Sequence, residues 1–344
     1  MTIPTPQPIL EAKNLSKTFV AGGAFSRVEV KAVQNATFAL YPGRVVALVG
    51  ESGSGKSTIV RMLARLYQPT GGEIVFRGKN VLAGRGRRNL LDYRRHVQMI
   101  FQDPFSSLNP AHKVSYHLAR PLHIHHRARH GRKQFREQML GLLEEVALTP
   151  PEEFIDKFPH QLSGGQRQRV AIARALAVGP DVILADEPIS MLDVSIRLGI
   201  LNLMEKLRAE NNIAFLYVTH DIASARYFAD EILVMYAGHI VEKAESEQLI
   251  RQPKHPYTQL LLSAVPDPAR GLRTAEIEVK GEVPQLTTLS EGCPFAPRCP
   301  HVMDQCHKAM PGDTRFPDGS WVRCYLYPHA NGVPSGATAT QEWS

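Results

Sequence analysis

Long apolar runs are missing from this 344-residue chain. A bilayer-spanning helix needs about 18 or more consecutive apolar residues, and Ile213-Ala214-Phe215-Leu216-Tyr217-Val218 is among the longest runs present. The first residues, Met1-Thr2-Ile3-Pro4-Thr5-Pro6-Gln7-Pro8, carry neither the basic nor the apolar region of a secretion signal. The chain is therefore expected in the cytosol, reaching a membrane only through partners. Cysteine is absent from the first 292 residues; Cys293, Cys299, Cys306 and Cys324 then fall within 32 residues. In a reducing compartment such a cluster points to a metal or cluster site rather than to disulfides. Aromatics make up only 7% of residues, and few interleave the basic stretches at 85–95 and 120–136. The net charge of +7 thus reads as solvated helix faces, or surface near anionic lipid, and no nucleic-acid partner is expected.

What is present is ordinary for a soluble globular protein, 43% hydrophobic and 21% charged. The length suits one large domain and a smaller one. Residues 9–48 alternate like strands, and Val45 to Val49 forms an apolar strand running into a glycine-rich loop. Ile59, Val60, Leu63 and Leu66 then recur at helical spacing, until Pro69-Thr70-Gly71-Gly72 ends the element. Residues 104–178 read as mostly helical, with a long basic helix around Gly131 to Glu145. From Val182 to Val234 the pattern becomes strand, helix (near Ile196 to Glu210) and strand (Ile213 to Val218). Such alternation implies a largely parallel sheet flanked by helices. Beyond Pro266 the periodicity fades, and a disordered tail is expected after Ala330. The histidines at 123, 125, 126 and 130 stand among arginines without a carboxylate, so they read as a solvated face rather than a metal site.

Gly50-Glu51-Ser52-Gly53-Ser54-Gly55-Lys56-Ser57 matches a complete phosphate-loop pattern at a strand-to-helix junction, with Thr58 following. Glycines let backbone N–H groups curl around phosphate oxygens, and the helix N-terminus favours the anion. Lys56 would reach the β- and γ-phosphates, and the Ser57 hydroxyl would bind Mg²⁺. Four apolar residues, Val182 to Ala185, carry Asp186 to a strand's C-terminal end, where ligands of parallel sheets bind. Asp186 is then a Mg²⁺ holder, and Glu187 the base for an attacking water. Leu162-Ser163-Gly164-Gly165-Gln166-Arg167-Gln168-Arg169 supplies a second anion-binding helix start, redundant within one chain.

With this segment between the loop and the acidic strand, the chain resembles the ATP-binding cassette (ABC) family. The resemblance implies an α/β fold: a nucleotide-binding domain with a mixed sheet around the phosphate-loop core, an antiparallel β-subdomain, and a helical signature subdomain at about 104–178. It further implies that Phe101-Gln102-Asp103-Pro104 is a Q-loop, with Gln102 touching Mg²⁺. Asp193 ends a D-loop, His220 is a switch contacting the γ-phosphate, and Phe19 (or Phe25) stacks on adenine. Ser163, Gly164, Gly165 and Gln166 would bind ATP held by the opposite subunit, so that two ATPs close a dimer and hydrolysis reopens it.

Gln252-Pro253-Lys254-His255-Pro256-Tyr257-Thr258, Gly281-Glu282-Val283-Pro284 and Gly292-Cys293-Pro294-Phe295-Ala296-Pro297-Arg298-Cys299 are similar to the C-terminal extension of ATP-binding subunits from the oligopeptide/dipeptide importer family. The expected layout is an ATPase domain over 1–262, a loop-rich cysteine-bearing extension over 263–330, and a tail over 331–344. The resemblance implies an ATPase on the cytoplasmic face of the plasma membrane, peripheral to two membrane-spanning permease subunits. A second related ATPase and an extracytoplasmic solute-binding protein would complete the assembly. Peptides are the expected solute, with oligosaccharides as the alternative. A soluble ABC ATPase of DNA repair or translation is the reading from another class; it usually needs a coiled-coil insertion or tandem domains, and this chain shows neither. The four cysteines lack the paired C-x2-C arms of zinc ribbons, which leans away from zinc; some relatives carry a [4Fe–4S] cluster in this extension, so the resemblance implies one here, with zinc or no metal as the alternatives. One departure stands out: the family's Asp-Glu-Pro-Thr-Ser-Ala-Leu-Asp has Ile189 and Met191 here, implying a bulkier interface contact.

Overall fold

The computed structural model describes residues 7–21, 28–83, 86–128, 130–264 and 291–327. Phe25, the Gly281–Pro284 motif and the expected tail at 331–344 lie outside them. Contacts gather the chain into two compact units, one of residues up to Ser16, 35–47 and 57–219, the other of 17–34, 48–56 and 220 onward.

In the first unit, β1 (Leu10–Ala21) and β2 (Val28–Leu40) contribute residues 10–16 and 35–40. β3 (Val45–Val49), buried throughout, contributes its first three residues, and α1 (Lys56–Leu63) all but its first. β4 (Gly71–Phe76) pairs antiparallel with β1, Leu10 opposite Phe76, and turns back into β5 (Lys79–Asn80). That turn needs two left-handed residues, Arg77 and Gly78, at φ 48° and 76°. After α2 (Arg87–His96), β6 (Val97–Ile100) runs parallel to β7 (Val182–Asp186), which runs parallel to β8 (Ala214–Thr219). β7 and β8 are buried at every position, the signature of a sheet covered on both faces. Between β6 and β7 lie α3 (Pro104–Ser107), α4 (Val114–Ile124), α5 (Arg132–Glu145), α6 (Glu152–Ile155) and α7 (Gly164–Leu176). α7 buries Val170, Ala171, Ile172 and Ala173 and packs on α3, α4, α5 and β6. Its arginines close other elements: Arg169 donates to the Val146 carbonyl at the end of α5 (2.7 Å), and Arg174 to the Ser107 carbonyl at the end of α3 (2.5 Å). α8 (Val194–Asn211) stops at Asn212, left-handed at φ 53°.

The second unit is built differently. After α9 (Ile222–Phe228), β9 (Glu231–Tyr236) and β10 (His239–Glu245) pair antiparallel across Ala237 and Gly238, both left-handed. α10 (Ser246–Arg251) and α11 (Pro256–Ser263) follow. The cysteine-bearing segment holds α12 (Asp304–Lys308), β11 (Thr314–Arg315) and β12 (Trp321–Val322). β12 pairs antiparallel with β10, Glu242 opposite Val322, so this segment extends the sheet despite its lack of sequence periodicity. Glu242, 1% exposed, accepts N–H bonds from Lys254 (2.8 Å) and His255 (2.9 Å), fastening the entry of α11 to β10. Among the described residues, no helix is long and apolar enough to cross a membrane.

Burial pushes the His239 imidazole down to about 4, and its Nε2 lies 2.9 Å from the Gln34 amide nitrogen. The unfolded chain therefore takes up this proton first. The stability held by neutral His239 is complete above the ordinary histidine range and is lost as pH falls toward 4, about 3 kcal/mol in all. Urea midpoints measured from pH 7 to pH 4 should fall, with a shallower slope for His239→Gln. An identical slope in the two proteins would assign the acid sensitivity to other groups.

Candidate active site

In the first unit the end of β7 places two carboxylates in succession. Asp186 is 2% exposed, and the Ser57 hydroxyl at the start of α1 donates to its Oδ1 at 2.9 Å. Glu187 follows in a left-handed backbone conformation, φ 46°, unusual for a residue with a side chain. Its N–H donates to the Val218 carbonyl (2.9 Å), and its carbonyl accepts from the Ser190 hydroxyl (3.0 Å), which hold that conformation. Strain of this kind gathers at functional positions. The Gln102 amide donates to Glu187 Oε2 at 3.1 Å. Thus Ser57 and Asp186, both expected to hold Mg²⁺, meet in space, whereas Gln102, expected beside them, instead contacts Glu187. The left-handed turn at Glu187 had no sequence signal, because glycine usually marks such positions.

Ser163 stands at the N-terminus of α7. Its hydroxyl accepts from Gln166 N–H (3.2 Å), while Gln166 Oε1 accepts from Ser163 N–H (3.0 Å), a reciprocal capping box. Gly165 has a separate reason to be glycine: an added Cβ would stand 2.7 Å from Ile196 Cγ2 on α8, whereas one on Gly164 would meet Leu192 Cδ2 at 3.5 Å. The unusual pair at 189 and 191 separates by burial. Ile189 is 4% exposed and belongs to the core, whereas Met191 is 54% exposed. Met191 lies just before α8 and is exposed, as are Val194 and Leu198 in its first turns, and Asp193 between them is exposed too. Thr58 lies within α1.

In the second unit the phosphate loop is drawn tight by its own lysine. Lys56 is buried, and its Nζ donates to the carbonyls of Gly50 and Glu51 (2.8 Å each) and lies 3.4 Å from Ser54 Oγ. Gly50 and Gly55 are obligatory. Added Cβ atoms would stand 2.1 Å from the Met235 carbonyl oxygen and 2.2 Å from that of Ala32. Ser52 and Gly53 are exposed. His220 is exposed immediately after β8, followed by Asp221, which caps α9 through Ala223 N–H (3.0 Å). Phe19 carries the Lys17 ammonium over its ring at 5.0 Å.

The four cysteines, 31 residues apart at their extremes in sequence, line one apolar cavity together with His255, Phe295 and Met303. Burial pushes the Cys293 thiol up to about 11 and the Cys324 thiol up to about 12. Gly292 permits the fold here, since a Cβ would stand 2.2 Å from the Cys306 carbonyl oxygen. His255 Nδ1 accepts from Tyr257 N–H (3.0 Å), which leaves the proton on Nε2. That Nε2 is buried without a hydrogen-bond partner. Among the described residues, no group of three or more His, Cys, Asp or Glu is disposed to hold a single metal ion. The histidines at 123, 125, 126 and 130 form no such group either, and His123 packs on Phe135 at 4.8 Å.

Comparison with known proteins agrees with this geometry. The ABC transporter family matches residues 33–190, and the oligopeptide/dipeptide transporter C-terminal region matches residues 241–306. The dipeptide transport ATP-binding protein DppF of Haemophilus influenzae is 41% identical over 320 residues, covering 92% of this chain and 96% of that protein. The oligopeptide transport ATP-binding protein OppF of Bacillus subtilis is 44% identical over 286 residues, covering 83% and 91%. Among solved structures, the dimeric post-hydrolysis state of the ATP-binding cassette MJ0796 bound to ADP and Pi is 32% identical. It covers 69% of this chain and 98% of that one, with a TM-score of 0.61. The chain thus belongs to the ABC transporter family, as an ATPase whose C-terminal region is of the oligopeptide/dipeptide transporter type.

Proposed function

We propose that the protein hydrolyses ATP to power peptide import, as a peripheral subunit on the cytoplasmic face of the plasma membrane. The observation that carries this reading is similarity along nearly the whole chain, C-terminal region included, to subunits named for dipeptide and oligopeptide transport. The loop from Gly50 to Lys56 binds the ATP phosphates, and Phe19 is the adenine contact. Ser57, Asp186 and Gln102 offer the hard oxygen donors that suit Mg²⁺, an ion that neutralises charge on the β- and γ-phosphates. Glu187 accepts a proton from water as its oxygen bonds to the γ-phosphorus; the bond to the bridging oxygen breaks, giving ADP and phosphate. His220 contacts the γ-phosphate. Ser163 to Gln166 and Asp193 serve ATP across an interface with a second, related ATPase. The exposed Met191, Val194 and Leu198 support such an interface. Two permease subunits and an extracytoplasmic binding protein supply the path and choose the solute.

The C-terminal thiols form a second element of the proposal. Four thiols around one cavity, with a buried N–H donor on His255, suit a group that is anionic at its surface and bound by thiolates. A single zinc with bonds of about 2.3 Å needs its sulfurs close together. A [4Fe–4S] cluster takes each thiolate on a separate iron, so it suits four thiols spread around one cavity. Bound there, the cluster would clamp a segment poor in secondary structure. Anaerobic preparations should be brown and contain about four irons per chain; zinc, or colourless metal-free protein, would refute the cluster.

The import reading is tested by ATPase activity of the chain reconstituted with its permease subunits, binding protein and paired ATPase. Pooled peptides should stimulate turnover and pooled oligosaccharides should not. Stimulation by the sugars alone would replace the solute class. Steady hydrolysis by the isolated chain, with no assembly, would replace the transport reading.

A further inference from the structure

All three polar groups of Glu51, the second residue of the phosphate loop, are held within the second unit. Its carbonyl accepts from Lys56 Nζ (2.8 Å), and its N–H donates to the Tyr257 hydroxyl (2.8 Å). Its carboxylate is gripped by Arg298, whose Nη1 lies 3.2 Å from Oε1 and 3.1 Å from Oε2. The same Nη1 donates to the Tyr236 hydroxyl at 3.2 Å. Tyr236, Tyr257 and Phe295 are nearly inaccessible and pack ring to ring, with centroids 4.5 to 5.5 Å apart, so Arg298 rests on a rigid base. Arg298 itself lies in the turn between Cys293 and Cys299, on the segment that closes the thiol cavity.

We infer that Arg298 is a positioning residue for ATP, through which the cysteine-bearing segment forms part of the nucleotide site. This rests on the proposal that the phosphate loop binds ATP. The physical need is plain. Glu51 puts a carboxylate on a loop shaped to receive a polyanion, and an unpaired negative charge there opposes the phosphates. The Arg298 side chain is 11% exposed and that of Glu51 is 26% exposed, so solvent screens the pair weakly. Arg298 cancels the charge and fixes the loop residue through one Nη1 shared between both carboxylate oxygens, a charge-assisted contact, while Tyr257 fixes its backbone. When Lys56 turns from the Glu51 carbonyl to the phosphates, these two contacts, together with the Ser54 N–H on the same carbonyl (3.3 Å), keep Glu51 in place. The Tyr257 of the His-Pro-Tyr-Thr motif and the Arg298 of the cysteine motif thereby acquire a common purpose.

The test is equilibrium binding of a fluorescent ATP analogue to the full chain. Arg298→Gln should weaken binding at least tenfold, since one uncompensated charge a few ångströms from a phosphate is worth roughly fivefold in water and about a thousandfold at the effective dielectric of a protein surface. Glu51→Gln in the same chain should restore most of that loss, because it removes the charge that Arg298 cancelled. Arg298→Lys, which keeps the charge, should lose less than Arg298→Gln and serves as the variant of choice if the latter does not fold. A purely structural role for Arg298 would lower thermal stability in both the single and double variants without this rescue. Unchanged affinity in Arg298→Gln, or no recovery in the double variant, would overturn the inference. Wild-type protein that binds no ATP would instead overturn the nucleotide reading on which it rests.

Discussion

Glu187→Gln is expected to bind ATP as tightly as the wild type and to hydrolyse it about 10²–10⁴ times more slowly, the usual loss on removing a positioned base. The substitution is close to isosteric. A glutamine can keep the 3.1 Å contact with Gln102, provided one amide turns, and it inherits the left-handed backbone held by Val218 and Ser190. Structure and loop shape should therefore survive, and what disappears is the carboxylate that accepts the water's proton. Because ATP then persists, the variant mixed with its paired ATPase should accumulate as an ATP-closed dimer, visible as a doubled mass in size-exclusion chromatography with ATP and Mg²⁺. Single-turnover phosphate release separates chemistry from binding. Hydrolysis at the wild-type rate would remove Glu187 from its assigned role, and the neighbouring Asp186, already engaged by Ser57 at 2.9 Å, would not replace it.

The elements carrying this chemistry were legible because each lies where burial and backbone geometry force a pattern. β7 reads as four apolar residues and an acid, since a strand covered on both faces has no alternation to obscure its end. The phosphate loop reads from glycines that nothing else can replace: Gly50 and Gly55 face carbonyl oxygens at 2.1 and 2.2 Å. Less legible were contacts that depend on residues far apart in sequence. Arg298 finds Glu51 across 247 positions, and nothing in a Pro-Arg-Cys turn signals that partner. The C-terminal segment offered no periodicity because β11 and β12 have only two residues each, too short for alternation to register. The signature segment was only half legible. Its glycines suggested anion binding, yet Gly165 is also fixed by Ile196, and Gln166 is also the partner of Ser163 in a helix cap.

That double duty shapes the other large effect. Ser163→Arg is expected to leave ATP binding by the isolated chain intact and to reduce hydrolysis by the assembled transporter to background. A long cation at the first residue of the signature helix blocks the approach of a partner's γ-phosphate. It also deletes the cap, because the Ser163 hydroxyl accepts from Gln166 N–H at 3.2 Å, and losing such a cap costs about 1 kcal/mol. The two consequences are separable. Ser163→Ala removes the same cap, so it should lower the urea midpoint about as much as Ser163→Arg does, while leaving room for the partner's nucleotide. If the signature segment acts between subunits, the arginine variant is inactive in the complex while the alanine variant keeps much of its turnover. The partner ATPase keeps its own signature segment, so background hydrolysis also means that the remaining composite site does not turn over alone. If the segment serves only to start α7, the two variants must fail together, in proportion to lost stability. Equal activities at equal stability would confine Ser163 to the cap.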